Sequence, residues 1–287
     1  RRIKIIDQNN RGLSESRNIG YEHSNGEYIS FIDSDDFVNI HLIQTCINIF
    51  NSNNVDIVTF NYETIREYDV VDIDKEIKSI INLDIIGPRK AIKILNPSAW
   101  NKIYKRELLM KSNIKYPNMY FEDYTETYRI LTYTKKIAKI QNKLYYYLLR
   151  ENSITGRKNI LVNSKDIFKV YDRLVQIANE RTEYAVEFEY LRYLLLSTYC
   201  ELWYKERHYY YKVAQEELNR INEKIKDNPY FFIEELAKKQ YENTRSWKVT
   251  KPLRDLITIY KRYINRIKNK LKILLNKYNI IYDKKKL

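Results

Sequence analysis

Apolar positions recur along this chain with two different periods, and the change of period divides it. Ile3 to Ile6 is a short β-branched run that predicts a strand, and Asp7 to Arg11 with Gly12 reads as the loop after it. Leu13 to His23 has helical spacing with Ser14 as N-cap, and Ser24, Asn25 and Gly26 supply the stop. Tyr28 to Ile32 is a compact buried-strand pattern that runs directly into Asp33, Ser34, Asp35 and Asp36. Ile40, Ile43, Ile47 and Phe50 mark one face of a helix, and Val55 to Phe60 predicts the next strand. Pro88 suits the first turn of a short helix through Leu95. Trp100 to Tyr104 reads as extended, Glu122 to Tyr133 as helix and Leu144 to Leu149 as strand. From about Ser164 the helical period dominates, at Ile167, Val170, Tyr171, Leu174 and Ile177, then over 190–204, 211–225 and 230–239. Strands alternating with helices predict an α/β region with a mixed, mainly parallel sheet over 1–160, followed by a helical region over 161–250.

Composition supports long helices and few tight turns, because the 287 residues contain only five Gly and five Pro. At 44% hydrophobic and 14% aromatic the chain can bury a core, which excludes disorder for most of it. Cys46 and Cys200 are too few and too far apart for a disulfide framework or a cysteine zinc site, so a reducing compartment is expected. No run of about eighteen apolar residues and no signal-like segment is present. The first residue is Arg1, without Met, and the chain reads as an internal piece of a longer protein. His23, His41 and His208 are scattered and suggest no site.

The sharpest chemical feature is the acidic group Asp33, Asp35 and Asp36 at a strand's end. Carboxylates this close must be separated or neutralised, and a hard dication such as Mg²⁺ or Mn²⁺ does so while bridging phosphate oxygens. The alternative is a helix start at which Asp35 or Asp36 acts as cap. Glu122 and Asp123 leave a similar choice, between a carboxylate oriented for base chemistry and ordinary first-turn charges.

The order of motifs narrows these choices. Asn10 to Gly20, with Arg17 and Asn18, then Asn25 to Ile29 and Phe31 to Asp36, resembles the inverting family 2 glycosyltransferases of the GT-A fold. Trp100, Asn101, Lys102, Ile103 and Tyr104, followed by Met119 to Asp123, is similar to that family's acceptor-side segment, and Tyr145 to Tyr147 with Arg150 resembles its closing strand and loop. The resemblance covers roughly residues 1–155. It implies an inverting transfer from a nucleoside diphosphate sugar, with a uridine diphosphate sugar as the leading donor, to a carbohydrate or lipid-linked acceptor. Asp123 is then the catalytic base, and Asp35 holds Mg²⁺ or Mn²⁺ with Asp33 nearer the ribose. Arg17 and Lys102 are candidates for cationic help at the donor, and Asn18 either bonds in the donor site or supports its loop. Glu122, Trp100 and Tyr147 are acceptor-side candidates. Nothing before Arg1 supplies the family's first strands, so the resemblance implies an N-terminally incomplete domain, which by itself is not expected to turn over a sugar nucleotide.

Charge then bears on location more than on chemistry. Residues 251–287 hold twelve basic and two acidic side chains, a net +10, against +4 for the preceding 250 residues. Leu253, Leu256, Tyr260, Tyr263, Ile267, Leu271, Leu274 and Tyr278 form one apolar stripe in that segment, a basic amphipathic helix able to lie on an anionic bilayer, dock on the body or pair as a coiled coil. A cytoplasmic enzyme of polysaccharide or glycoconjugate assembly, peripheral on the inner face of the plasma membrane, is the expectation. A catalytically inactive scaffold of the same fold ranks second. A basic nucleic-acid binder ranks below it, since the near-neutral body carries no RNA-binding motif and no nucleic acid is expected.

Overall fold

A computed structural model describes residues 3–77, 79–150, 157–206, 209–225, 228 and 230. The predicted helix over 230–239, apart from its first residue, and the basic tail over 251–287 lie outside these residues. Among the described residues no helix is long and apolar enough to cross a membrane.

The element order is α1 (Leu13–Glu22), β1 (Tyr28–Ser30), β2 (Phe37–Val38), α2 (Leu42–Ser52), β3 (Ile57–Arg66), β4 (Asp84–Ile86), α3 (Pro88–Ile94), β5 (Lys102–Lys105), α4 (Arg106–Ser112), α5 (Glu122–Leu131) and β6 (Ile137–Leu149). Helices α6 (Arg157–Asn163), α7 (Ile167–Glu180), α8 (Ala185–Lys205) and α9 (Tyr210–Ile225) follow, with a 3-10 turn at Ser164–Asp166. The change from mixed to all-helical structure falls between Leu149 and Arg157, and the chain up to Asn228 forms one compact unit.

The expected mixed sheet with flanking helices is present, but its parallel character is confined to one pairing. The six strands run β1-β5-β3-β6-β2, with β4 beside β6. β3 and β6 are parallel over their length, whereas β1 on β5, β5 on β3, and β2 and β4 on β6 are antiparallel. The physical reason is the connection between β3 and β5, which returns the chain through β4 and α3 in the opposite direction. Alternation along the strands feeds two layers. Val58, Phe60, Ile103, Ile140 and Leu144 pack with Leu42, Cys46, Ile49 and Phe50 of α2. Tyr104, also fully buried, lies on the other side of β5, and its hydroxyl donates to the Ala99 carbonyl at 3.5 Å.

Several predicted elements change. Ile3 to Ile6 forms no strand, and Ile3 and Ile5 are exposed without a neighbouring strand to pair with. Gly12, not Ser14, caps α1, and its φ of 87° is a conformation suited to glycine; Ser14 is buried inside the first turn. Nor does a helix begin at Asp35 or Asp36, because β2 follows directly. On α2 the predicted face is rotated: Ile40 and Ile43 are exposed, and Leu42, Cys46, Ile49 and Phe50 meet the sheet.

This topology positions the acidic segment. β1 and β2 are opposite edge strands, so residues 31–36 carry Asp33, Ser34, Asp35 and Asp36 across the end of the sheet, a distance of about 19 Å for four strand spacings. Leu42→Ala is expected to cost about 2–5 kcal/mol in urea unfolding, and Ile43→Ala less than about 0.5 kcal/mol. Equal losses would contradict the rotation of α2.

Candidate active site

Residues from both ends of the α/β region line one open cleft of about 1150 Å³. Its wall includes Gly12, Arg17, Asp33, Asp35, Trp100, Phe121, Glu122, Asp123, Tyr147 and Arg150. The strand-end carboxylates and the helix-start carboxylates, about ninety positions apart in sequence, therefore face the same space.

Arg17 connects them. It projects from α1, is 8% exposed, and sends one guanidinium nitrogen to Asp33 Oδ1 at 2.9 Å and the other to Glu122 Oε1. Burial works against its charge, and Asp33 and Glu122 more than offset that burial. The Tyr116 ring lies 5.5 Å from the guanidinium carbon. Asn18, the next residue, donates to the Tyr116 carbonyl at 2.9 Å and accepts from the Tyr116 amide at 2.8 Å. Of its two predicted uses, the structure shows the supporting one: Asn18 clamps the strand of chain that leads to α5.

That lead-in is strained where it ends. Phe121, the residue before Glu122, has a left-handed φ of 63°, which a bulky side chain adopts only when its surroundings hold it there. The Tyr120 amide donates to Asp166 Oδ2 at 2.9 Å, so the helical region supports the same turn. Asp123 is half-buried on the cleft wall, and burial raises its carboxyl, opposed by Arg17 and then Lys102. Burial likewise pushes Glu122 up to about 7, with Asp123 adding to the rise and Arg17 opposing it.

Lys102 is not on the cleft wall. It is fully buried in β5, and Nζ donates to Asn96 O at 2.6 Å, Ser98 O at 2.7 Å and Asn101 Oδ1 at 2.6 Å. All three ammonium protons are used to fold the 96–101 turn, which leaves none for a ligand. Burial lowers its pKa to about 7 against the attraction of Asp123. Trp100, carried by that turn, stacks on Tyr145 (4.5 Å, 22°) and on Tyr147 (5.5 Å, 11°), and Trp100 and Tyr147 reach the cleft.

The acidic segment is divided by its partners. Asp36 accepts from the Tyr145 hydroxyl at 2.6 Å and from the Leu148 amide at 2.8 Å, so it fastens the loop to β6. The same hydroxyl accepts from the Asp33 amide at 3.2 Å. Asp35 pairs with Arg150. Among the described residues no group of three or more His, Cys, Asp or Glu side chains is placed to hold a metal ion. Asp33 and Asp35 both line the cleft, and two carboxylates are a donor set of the kind a hard dication uses when phosphate oxygens and water complete its shell.

Sequence reasoning missed the Arg150 partner of Asp35, the Tyr145–Asp36 bond, Tyr116 and Asp166. Arg150 and Tyr145 had a usable signal, since both stand in the segment read as a closing strand and loop; Asp166 had none.

Residues 1–112 match the family model described as Glycosyl transferase family 2. The match ends before Glu122, so the helix-start carboxylates stand on geometry. A cholesterol galactosyltransferase of Borreliella burgdorferi is 26% identical over 246 residues, covering 78% of this chain and 68% of that protein. The glycosyltransferase GlyG of Streptococcus pneumoniae is 27% identical over 186 residues, 61% of each chain. Among solved structures, TarS residues 1–349 of S. aureus in complex with UDP-GlcNAc has a TM-score of 0.47 at 20% identity, over 61% of this chain and 48% of that one. The chain spans between about half and two thirds of these proteins' lengths.

Two outcomes are expected. Asn18→Ala leaves the buried Tyr116 amide and carbonyl without their partner and should cost about 1–3 kcal/mol in urea unfolding. A loss under 0.5 kcal/mol, of the size usual at the surface, would contradict the clamp. For Glu122, the folded carboxyl keeps a proton that the unfolded chain releases near 4.5, up to about 7. Its contribution is therefore complete below pH 4.5 and lost as pH rises through 7. Glu122→Gln should flatten the decline in unfolding free energy across that window, measured by denaturant titrations at successive pH values, and an unchanged slope would refute the assignment.

Proposed function

We propose that this chain carries the catalytic cleft of an inverting glycosyltransferase, which moves a sugar from a nucleoside diphosphate to an acceptor hydroxyl. The observation that carries it is the meeting of Asp33 and Asp35 with Glu122 and Asp123 in one cleft. Glycosyltransferase relatives over most of the chain support the class.

Asp123 takes the proton of the acceptor hydroxyl. The oxygen then attacks the anomeric carbon from the face opposite the diphosphate, and the carbon–oxygen bond to the diphosphate breaks with its electron pair staying on the phosphate. Asp35 and Asp33 would hold Mg²⁺ or Mn²⁺, which supplies charge stabilisation to the leaving diphosphate. Arg150 stands beside Asp35 as a further cation on that wall. Arg17 and Lys102 oppose the effect of burial on the Asp123 carboxyl, and neither contacts the donor directly in this scheme. Tyr147, half-buried and backed by the Trp100 ring, presents aromatic surface suited to a sugar ring of the acceptor.

The relatives include the cholesterol galactosyltransferase and, at 23% identity, TarS of Staphylococcus aureus, a poly(ribitol-phosphate) beta-N-acetylglucosaminyltransferase, which supports an acceptor that is lipid-linked or polymeric. The basic segment 251–287 would then hold the enzyme at an anionic membrane surface on the cytoplasmic side.

In the full-length protein, Asp123→Asn should lower transfer from a uridine diphosphate sugar by about 10²–10⁴-fold, while calorimetry shows uridine diphosphate binding with Mn²⁺ unchanged within about twofold. Retained turnover would remove Asp123 as the base. Wild-type protein that binds the nucleotide yet transfers nothing to any carbohydrate or lipid-linked acceptor would favour the inactive scaffold.

A further inference from the structure

Glu122 and Asp33 come from different elements of the fold, the start of α5 and the segment after β1, yet they share one cation. The Arg17 guanidinium is planar, 8% exposed, and its Nε is buried without a hydrogen-bond partner, so its orientation rests on the two terminal nitrogens. One donates to Asp33 at 2.9 Å and the other to Glu122. Asn18 holds the neighbouring backbone to Tyr116 at 2.8 and 2.9 Å, so α1 cannot carry the guanidinium away from the lead-in to α5 without breaking that clamp.

We propose that Arg17 is a positioning residue that couples occupation of the donor side at Asp33 to the placement of Glu122 and Asp123. The proposal rests on the donor-site reading given above. A single positive charge is divided between two carboxylates. A dication held at Asp33 would take up that carboxylate's charge and leave the Arg17 guanidinium to Glu122, which would tighten the first turn of α5 where Asp123 stands. Linkage makes the effect reciprocal: when Glu122 loses its charge, Arg17 turns wholly to Asp33, and a dication arriving there meets a carboxylate already neutralised. Donor binding on one wall thus readies the base on the other.

The test is a double-mutant cycle read by affinity for uridine diphosphate with Mn²⁺, using wild type, Glu122→Gln, Arg17→Lys and the double variant of the full-length protein. Lysine keeps the charge but, as a compact ammonium, cannot bridge both carboxylates in the way the fork does. Glu122→Gln should weaken binding about tenfold beside Arg17 and less than about twofold beside Lys. Thermal melts verify that each variant folds, and Arg17→Gln serves as the second background if Arg17→Lys does not. Weakening by the same factor in both backgrounds would mean that Glu122 acts through its own field, and the coupling would be overturned with the donor site intact. Absence of any binding by wild type would overturn the donor-site reading, and the coupling with it.

Discussion

A buried guanidinium holds this cleft together. Taking Arg17 out of water costs several kcal/mol, and the structure offsets that cost with Asp33, Glu122 and the face of Tyr116. Those groups come from the end of β1, the start of α5 and the segment before it, three places that share no other direct bond through α1 except the Asn18 clamp. Two adjacent residues of one ten-residue helix therefore set the spacing between strand-end and helix-start carboxylates.

Around that link, several acidic groups have a cation of their own. Asp35 has Arg150, Asp166 has Lys169, and the fully buried Glu126 has Arg129 and Arg173. Asp123 differs. It is opposed by Arg17, which is committed to two other carboxylates, and by Lys102, whose protons are spent on the 96–101 turn. A carboxylate stabilised at a distance keeps its lone pairs for a substrate proton, whereas one already bound by a fork does not. This separates Asp123 from Glu122 chemically, although they are neighbours in sequence.

How much of this was legible in the sequence follows from the range of each interaction. Apolar spacing and end signals such as Pro88 located α1, α2, α3, α5 and the helices from α7 to α9, because such signals are local to each segment. Periodicity misjudged the face of α2, since Leu42, Cys46 and Ile49 repeat with the same gaps of four and three as Ile43, Ile47 and Phe50, and only the sheet decides between the two stripes. It also shortened β6, whose first half contains Lys139, Gln141, Asn142 and Lys143. Asn142 is tolerated inside the strand because it bonds the Ile81 amide and the Ser79 carbonyl. The acidic group at Asp33 to Asp36 was visible at once as a cluster. The division of labour within it was not, because Tyr145, Arg150 and Arg17 reach it from other elements.

The same reasoning explains why Arg17, Asn18 and Lys102, grouped by motif as donor-side candidates, separate in the structure. A motif reports that residues are needed together; it does not say whether they face a ligand or hold the wall that does. Lys102 and Asn18 have all or most of their polar capacity consumed by backbone groups, so each fixes a turn: one that presents Trp100, and one that presents Glu122 and Asp123. Arg17 is intermediate, lining the cleft while bound on both sides. Its two bonds constrain the site more than a contact with a single ligand would, because neither wall can move toward the other without rotating the same guanidinium.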